Sequence, residues 1–307
     1  RRRQRQMCIR DRHYANECGI EIIGDIPIYA AYDSVEAWAE PELFCFDKNK
    51  KHVEVAGCPP DEFSPEGQLW GNPVYNWEYH KSTQYTWWIN RIKFASEIYD
   101  IVRIDHFRGF ESFYTIPYGN KTAEKGEWKK GPGSELFKIT EKNIGKLNII
   151  AEDLGFITPE VRIMLDEVGY PGMKVMQFAF DNGKNEFLPH NYKNTNCFVY
   201  TGTHDNETLI GWTENLNDKN LKFAKKYLGV RKKAQIPGAV IKSAWGSIAE
   251  TAVAQIQDFI ESGADGRMNT PSTLGGNWEF RTVKSDFTPK LSKKIKKLNK
   301  LFNRLGD

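Results

Sequence analysis

No apolar run in this 307-residue chain approaches the roughly 18 residues of a membrane span. No hydrophobic core of a signal peptide follows the basic start either, so neither membrane insertion nor export is expected. An excess of one charge is missing too. Lys and Arg number 43 against 40 Asp and Glu, and the resulting +3 is too weak to argue for a nucleic-acid partner. Cysteine is sparse: Cys8, Cys18, Cys45, Cys58 and Cys197 are odd in number and never spaced C-x-x-C. That argues against a disulfide framework or a zinc site and suits reduced thiols in the cytoplasm. No glycine-rich turn follows the first strand-like segment, which removes the usual dinucleotide fingerprint.

Aromatic residues, by contrast, are plentiful at 13%, with nine Trp, thirteen Tyr and eighteen Phe. Rings in such number either fill a large core or line a site for flat apolar faces, sugar rings among them. The first twelve residues, RRRQRQMCIRDR, share no composition with the rest. They are expected to be a non-native stretch, and 13–307 the folded part.

Short apolar runs rich in β-branched residues recur at 20–28, 100–107, 148–154, 173–180 and 197–205, with a weaker sixth, GRMN, at 266–269. Continuous rather than alternating apolar character is the mark of strands buried on both faces. Helical patterns intervene at 34–44, 83–99, 134–145 and 158–169, and further helices are expected at 234–262 and 288–305. In the fourth, Thr158 is a candidate N-cap, Pro159 opens the helix and Gly169 ends it.

Alternating β and α elements predict an α/β fold with a parallel sheet. Polar residues near the strand ends select a (β/α)8 TIM barrel over a doubly wound sheet, because a barrel gathers its chemistry there from several strands. Those residues are Asp25, Asp105, Glu152 and Asp205, with His106 and His204 beside two of them. Six strands make an incomplete barrel of about six βα units. The stretch at about 45–80 is far longer than an ordinary βα connection and is dense in Pro, Gly and aromatics, so it reads as a loop covering the site. Trp70, Tyr75 and Trp77 within it read as a stacking surface, Trp87 and Trp88 as core.

Carboxylates converging at one mouth repel each other and raise at least one pKa, an arrangement suited to paired acid and base work. Retaining glycosyl transfer needs such a pair roughly 5 Å apart, and Arg103 supplies Asp105 with a counter-charge. Plainer readings stay open. Asp153 can cap a helix, and His204-Asp205-Asn206 can be a turn bonded to itself.

Several segments together resemble one known family: GDIPIYAAYDS (24–34), AGCPPDEFSPEGQLWGNPVYNW (56–77), VRIDHFRGF (102–110), the GPG turn (131–133), IIAEDLG (149–155), PGMKVMQFAF (171–180), YTGTHDN (200–206) and NTPSTLGGNWEFR (269–281). The chain is identified as a member of the 4-alpha-glucanotransferase (amylomaltase, disproportionating enzyme) family of the α-amylase clan, lacking the N-terminal part. The resemblance implies retaining transfer of α-1,4-glucan segments between chains, without metal or organic cofactor. It implies Asp105 as nucleophile, Glu152 as general acid/base and Asp205 as transition-state stabiliser. Arg103 and His204 would hold the donor sugar, with His106 close by and Asp25 shaping the mouth. Asp61, Trp70 and Asn72 would belong to the loop over the glucan. A hydrolase of the same clan and an inactive glucan-binding remnant are the alternatives.

Overall fold

The computed structural model describes residues 2–60, 64–271 and 273–305, with side chains from Ile9 onward. The chain divides into two compact units, Arg1–Gly172 and Met173–Asp307. In the first lie strands β1 (Ile23–Ile26), β2 (Glu54–Cys58), β3 (Gln68–Pro73), β4 (Ile101–Ile104), β5 (Ser112–Pro117), β6 (Glu127–Lys130) and β7 (Ile149–Ala151). Its helices are α1 (Arg2–Glu17), α2 (Val35–Ala39), α3 (Trp77–Ser82), α4 (Thr86–Ile98), α5 (Ser134–Ile144) and α6 (Pro159–Val168). Strand β8 (Gly172–Val175) begins at the boundary. The second unit continues with β9 (Cys197–Tyr200), β10 (Thr251–Val253) and helices α7 (Leu209–Glu214), α8 (Asp218–Leu228), α9 (Ile236–Trp245), α10 (Ile256–Phe259) and α11 (Pro289–Leu301).

In the first unit β4 runs parallel between β1 and β7, and Ile26, Ile104 and Ala151 stand in one row. Helix α4 lays Trp88, Ile92 and Ala95, a spacing of four and three residues, against this sheet's core. Phe107, Phe110 and Phe137 complete the packing, with centroids 4.8–5.6 Å apart. Fully burying a side chain of this size contributes about 2–3 kcal/mol, so this cluster is what holds the ends of β1, β4 and β7 in place. Arg12 donates to the last carbonyls of α4, at Glu97 (2.7 Å) and Ile98 (2.6 Å), answering acceptors that a helix C-terminus leaves open. Helix α1 runs without a break through residue 12, where the sequence set a boundary on composition.

The 45–80 stretch is more than a loop. Strands β2 and β3 within it join β5 and β6 in an antiparallel sheet of order β3-β2-β5-β6. Gly57 makes that pairing possible, since a Cβ there would stand 2.2 Å from the Gln68 carbonyl oxygen. Tyr75 is core, not a stacking surface: it is buried and its hydroxyl donates to the Ile28 carbonyl at 2.8 Å. Trp77 packs against the same cluster, whereas Trp88 is fully buried, as its helical spacing suggests.

The second unit carries a sheet of order β10-β9-β8, with β9 and β10 parallel. Its sixth-strand expectation is corrected. GRMN forms no strand, and its Gly266 instead ends a single 3-10 turn, Ala264–Gly266. The strand is β10, inside the stretch read as one helix over 234–262; α9 ends at Trp245 and α10 begins only at Ile256. Thr251–Val253 is too short to show a period, and pairing with β9 decides its conformation. The core is built from Met176, Val199, Leu209, Val240 and Ala244, with Leu291, Ile295 and Leu298 of α11 packed against it. Thr158 stands at the N-cap of α6 but makes no capping bond, while Gly169 ends that helix at φ +70°. No helix among the described residues is long and apolar enough to cross a membrane.

Candidate active site

Because Ile26, Ile104 and Ala151 share a row, the next residues, Pro27, Asp105 and Glu152, leave three adjacent strand ends together. Neighbouring strands lie about 4.8 Å apart, so the two acids leave adjacent strand ends side by side. The Asp105 N–H donates to the Ile26 carbonyl (3.0 Å) and the Glu152 N–H to that of Ile104 (3.1 Å).

Arg103 organises the anions. It is the register partner of Asp25 across β1 and β4, and its Nη1 lies 2.8 and 2.7 Å from the two Asp25 oxygens. Its Nη2 lies 2.9 Å from Asp105 Oδ1. Burial opposes the Arg103 charge, but Asp25, Asp105 and Glu152 outweigh it and hold the guanidinium protonated.

Glu152 is in a different state. Burial first, and then the charge of Asp105, push its carboxyl up to about 7, against the pull of Arg103 and of two backbone donors. Those donors are the N–H groups of His106 to Oε2 and Leu154 to Oε1, each at 2.8 Å. The chain turns at His106 into the left-handed region, φ +51°, before the one-turn helix Phe107–Phe110. A non-glycine residue pays on the order of 1 kcal/mol for that conformation. The His106 imidazole is neutral, its pKa pushed down to about 4 by burial, and its buried Nε2 has no hydrogen-bond partner. Trp70 stands edge-on to it at 4.8 Å and bonds its own Nε1–H to Gln68. Asn72 spends its amide on the Ala30 carbonyl (2.9 Å), tying β3 to the chain after β1. Asp61 lies outside the described residues.

His204 and Asp205 belong to the second unit, on the turn after β9. His204 Nε2 lies 3.5 Å from Asp205 Oδ2. The plain turn reading holds alongside any functional one: Asn206 Oδ1 accepts from the Thr203 N–H and hydroxyl, and the Asn206 N–H closes on the Thr203 carbonyl. Three residues not singled out from sequence join this group. Asn269 Nδ2 donates to Asp205 Oδ1 at 2.6 Å, and Arg267 Nη2 to the Asp205 carbonyl at 2.8 Å. The Trp278 ring lies 5.1 Å from that of His204, on a backbone at φ +63°. For Asn269 and Trp278 the available signal was the NTPSTLGGNWEFR motif, in which no periodicity separates the members, and for Arg267 only the GRMN run.

The profile of the 4-alpha-glucanotransferase family matches residues 4–285. The chain belongs to the 4-alpha-glucanotransferase family. It is 48% identical over 294 residues to the 4-alpha-glucanotransferase of Synechocystis sp., covering 95% of this chain and 58% of that protein. It is 46% identical over 294 residues to that of Clostridium butyricum, covering 95% and 60%. An amylomaltase from Streptococcus agalactiae, solved in complex with acarbose, superposes with a TM-score of 0.95 at 42% identity, covering 98% of this chain and 61% of that one. The chain thus spans about 60% of the length of these three family members.

Proposed function

We propose that this chain carries the catalytic residues of a 4-alpha-glucanotransferase, which moves α-1,4-glucan segments from one chain to another with retention. The observation that carries the reading is the pair Asp105 and Glu152. One acid is ion-paired to Arg103, while the other is buried and holds its proton up to about neutral pH. In the first step Asp105 attacks the anomeric carbon and Glu152 gives its proton to the departing glucan oxygen. In the second, the ionised Glu152 takes a proton from an acceptor hydroxyl, which displaces Asp105. Asp205 is proposed as the stabiliser of the charged transition state, and Arg103, His106 and His204 as holders of the donor sugar. Asp25 anchors Arg103, and Trp70, Asn72 and Asp61 belong to the segment proposed to cover the glucan.

The fold that accompanies this reading is a (β/α)8 barrel represented by about six βα units, supported by strands β1, β4, β7, β8, β9 and β10 in chain order. A cytoplasmic site of action is proposed on the sparse cysteines, odd in number and never spaced C-x-x-C. The substrates proposed are α-1,4-glucans, of the class on which the family's names are based.

Incubating the intact native protein with maltotriose tests the reaction. Glucose together with maltooligosaccharides longer than the substrate is the expected product set. Reducing sugar without longer chains means hydrolysis and overturns the transfer reading. Asp105→Asn is expected to abolish both products, and near-normal turnover in that variant removes the nucleophile assignment.

A further inference from the structure

We propose that Asn269 is a positioning residue that sets the direction of the Asp205 carboxylate, and that Arg267 locks the two together. The proposal rests on the reading of Asp205 given above and goes beyond it by assigning two residues outside the acid motifs.

Four hydrogen bonds converge here. Asn269 holds the His204–Asp205 turn twice, through its backbone N–H to the His204 carbonyl (3.1 Å) and through Nδ2 to Asp205 Oδ1 (2.6 Å). Arg267 accounts for the other two, from Nε to the Asn269 carbonyl (2.9 Å) and from Nη2 to the Asp205 carbonyl (2.8 Å). Its Nη1 is paired with Glu207 Oε1 at 2.8 Å, on the same turn. The planar, five-donor guanidinium suits this three-way bracing, and a lysine has no equivalent. One Asp205 oxygen is therefore directed by a neutral donor fixed from both ends, and the other faces His204 at 3.5 Å.

The choice of an amide is chemically pointed. Asn offers a donor without a charge of its own, so it orients the carboxylate and leaves its negative charge for a cationic transition state. The titratable and charged groups facing Asp205 from its packed surroundings in this unit are His204 and Arg267, with Glu207 behind the latter.

Three variants of the intact protein, assayed for glucose release from maltotriose across pH 5–7.5, separate the possibilities. In Asn269→Ala the carboxylate keeps its charge and loses its direction. kcat is expected to fall about ten- to a hundredfold, with KM within twofold and the unfolding temperature unchanged. In Asn269→Asp the new group donates to Asp205 only when protonated. Its kcat relative to the parent at the same pH should therefore climb roughly tenfold between pH 7.5 and 5, and taking the ratio cancels the titration of Glu152. A purely structural role gives no such climb. Asp205→Asn guards the underlying reading. Full activity there overturns the role of Asp205 and the positioning role with it. If Asp205→Asn is inactive while Asn269→Ala keeps its kcat, or while the Asn269→Asp ratio is flat with pH, the positioning proposal alone is wrong. Should Asn269→Ala fail to fold, the pH ratio of Asn269→Asp decides.

Discussion

Replacing Glu152 by Gln removes a titration while keeping the side-chain shape. Burial, followed by the charge of Asp105, raises this carboxyl from 4.5 to about 7. Between those two values the folded chain holds a proton that the unfolded chain has released. Folded stability therefore falls as pH rises through that window, being complete below pH 4.5 and lost above about 7. At 1.36 kcal/mol for each pH unit, the loss comes to about 3 kcal/mol. The Gln variant has no such group. It carries a separate, pH-independent cost, because both Glu152 oxygens accept backbone N–H groups and the new NH2 must oppose one of them. A donor left unpaired in this way costs about 1–3 kcal/mol. The informative quantity is thus the change with pH, which cancels that constant.

Thermal unfolding of parent and variant should be followed from pH 5 to 8.5. The difference between them should move in favour of the variant by about 2.5 kcal/mol, the part of the window above pH 5, or roughly 5–10 °C at 2–4 °C per kcal/mol for a unit of this size. A difference that stays constant within about 2 °C, or drifts the other way, refutes the buried, protonated Glu152. Adding Asp105→Asn should shrink the window from its upper end, since the charge of Asp105 is the second cause of the rise.

Other expectations follow from the same structure. If Glu152 is the acid proposed, kcat/KM for transfer should fall about tenfold per pH unit above about 7, as that carboxyl loses its proton; a rate that is flat from pH 6 to 9 argues against Glu152 as the acid. Gly24→Ala places a Cβ 2.0–2.4 Å from the Tyr99 ring between β1 and α4, and should destabilise the chain by about 1–3 kcal/mol or more, read as a lower urea midpoint. Arg304→Met removes donors to the carbonyls of Trp245, Ser247, Ala249 and Glu250. With three part-buried acceptors and one exposed one losing their donor, a loss of roughly 1–3 kcal/mol is expected, with faster amide exchange in α11; unchanged exchange would show that apolar packing alone docks this helix.

Much of the parallel framework was legible because a strand buried on both faces cannot hide its apolar run. The segments around Ile23–Ile26, Ile101–Ile104 and Ile149–Ala151 all stand out in this way. Helices α4, α5 and α6 were legible from period and caps, with Gly169 the clearest stop. Strands β5 and β6 were not foreseen, since a meander of antiparallel strands draws its order from partners far along the chain. Tyr75 was misplaced for a related reason: its Pro- and Gly-rich surroundings resemble a surface loop, yet its hydroxyl and ring are spoken for by Ile28, Phe44 and Trp88.

By itself the sequence determined where Asp105 and Glu152 stand, because a carboxylate placed immediately after a buried strand has nowhere to go but the strand's C-terminal end. It also determined the family, through motifs whose residues are mostly polar and specific. Only the tertiary structure decided the states of those acids. That Glu152 is protonated near neutrality depends on its burial and on the field of Asp105, and Arg103 is held between two carboxylates by the register of β1 against β4. Electric fields and hydrogen-bond directions are properties of neighbours in space, and the neighbours of Glu152 and Asp205, at positions 105, 106, 154, 267 and 269, are not set by their order along the chain.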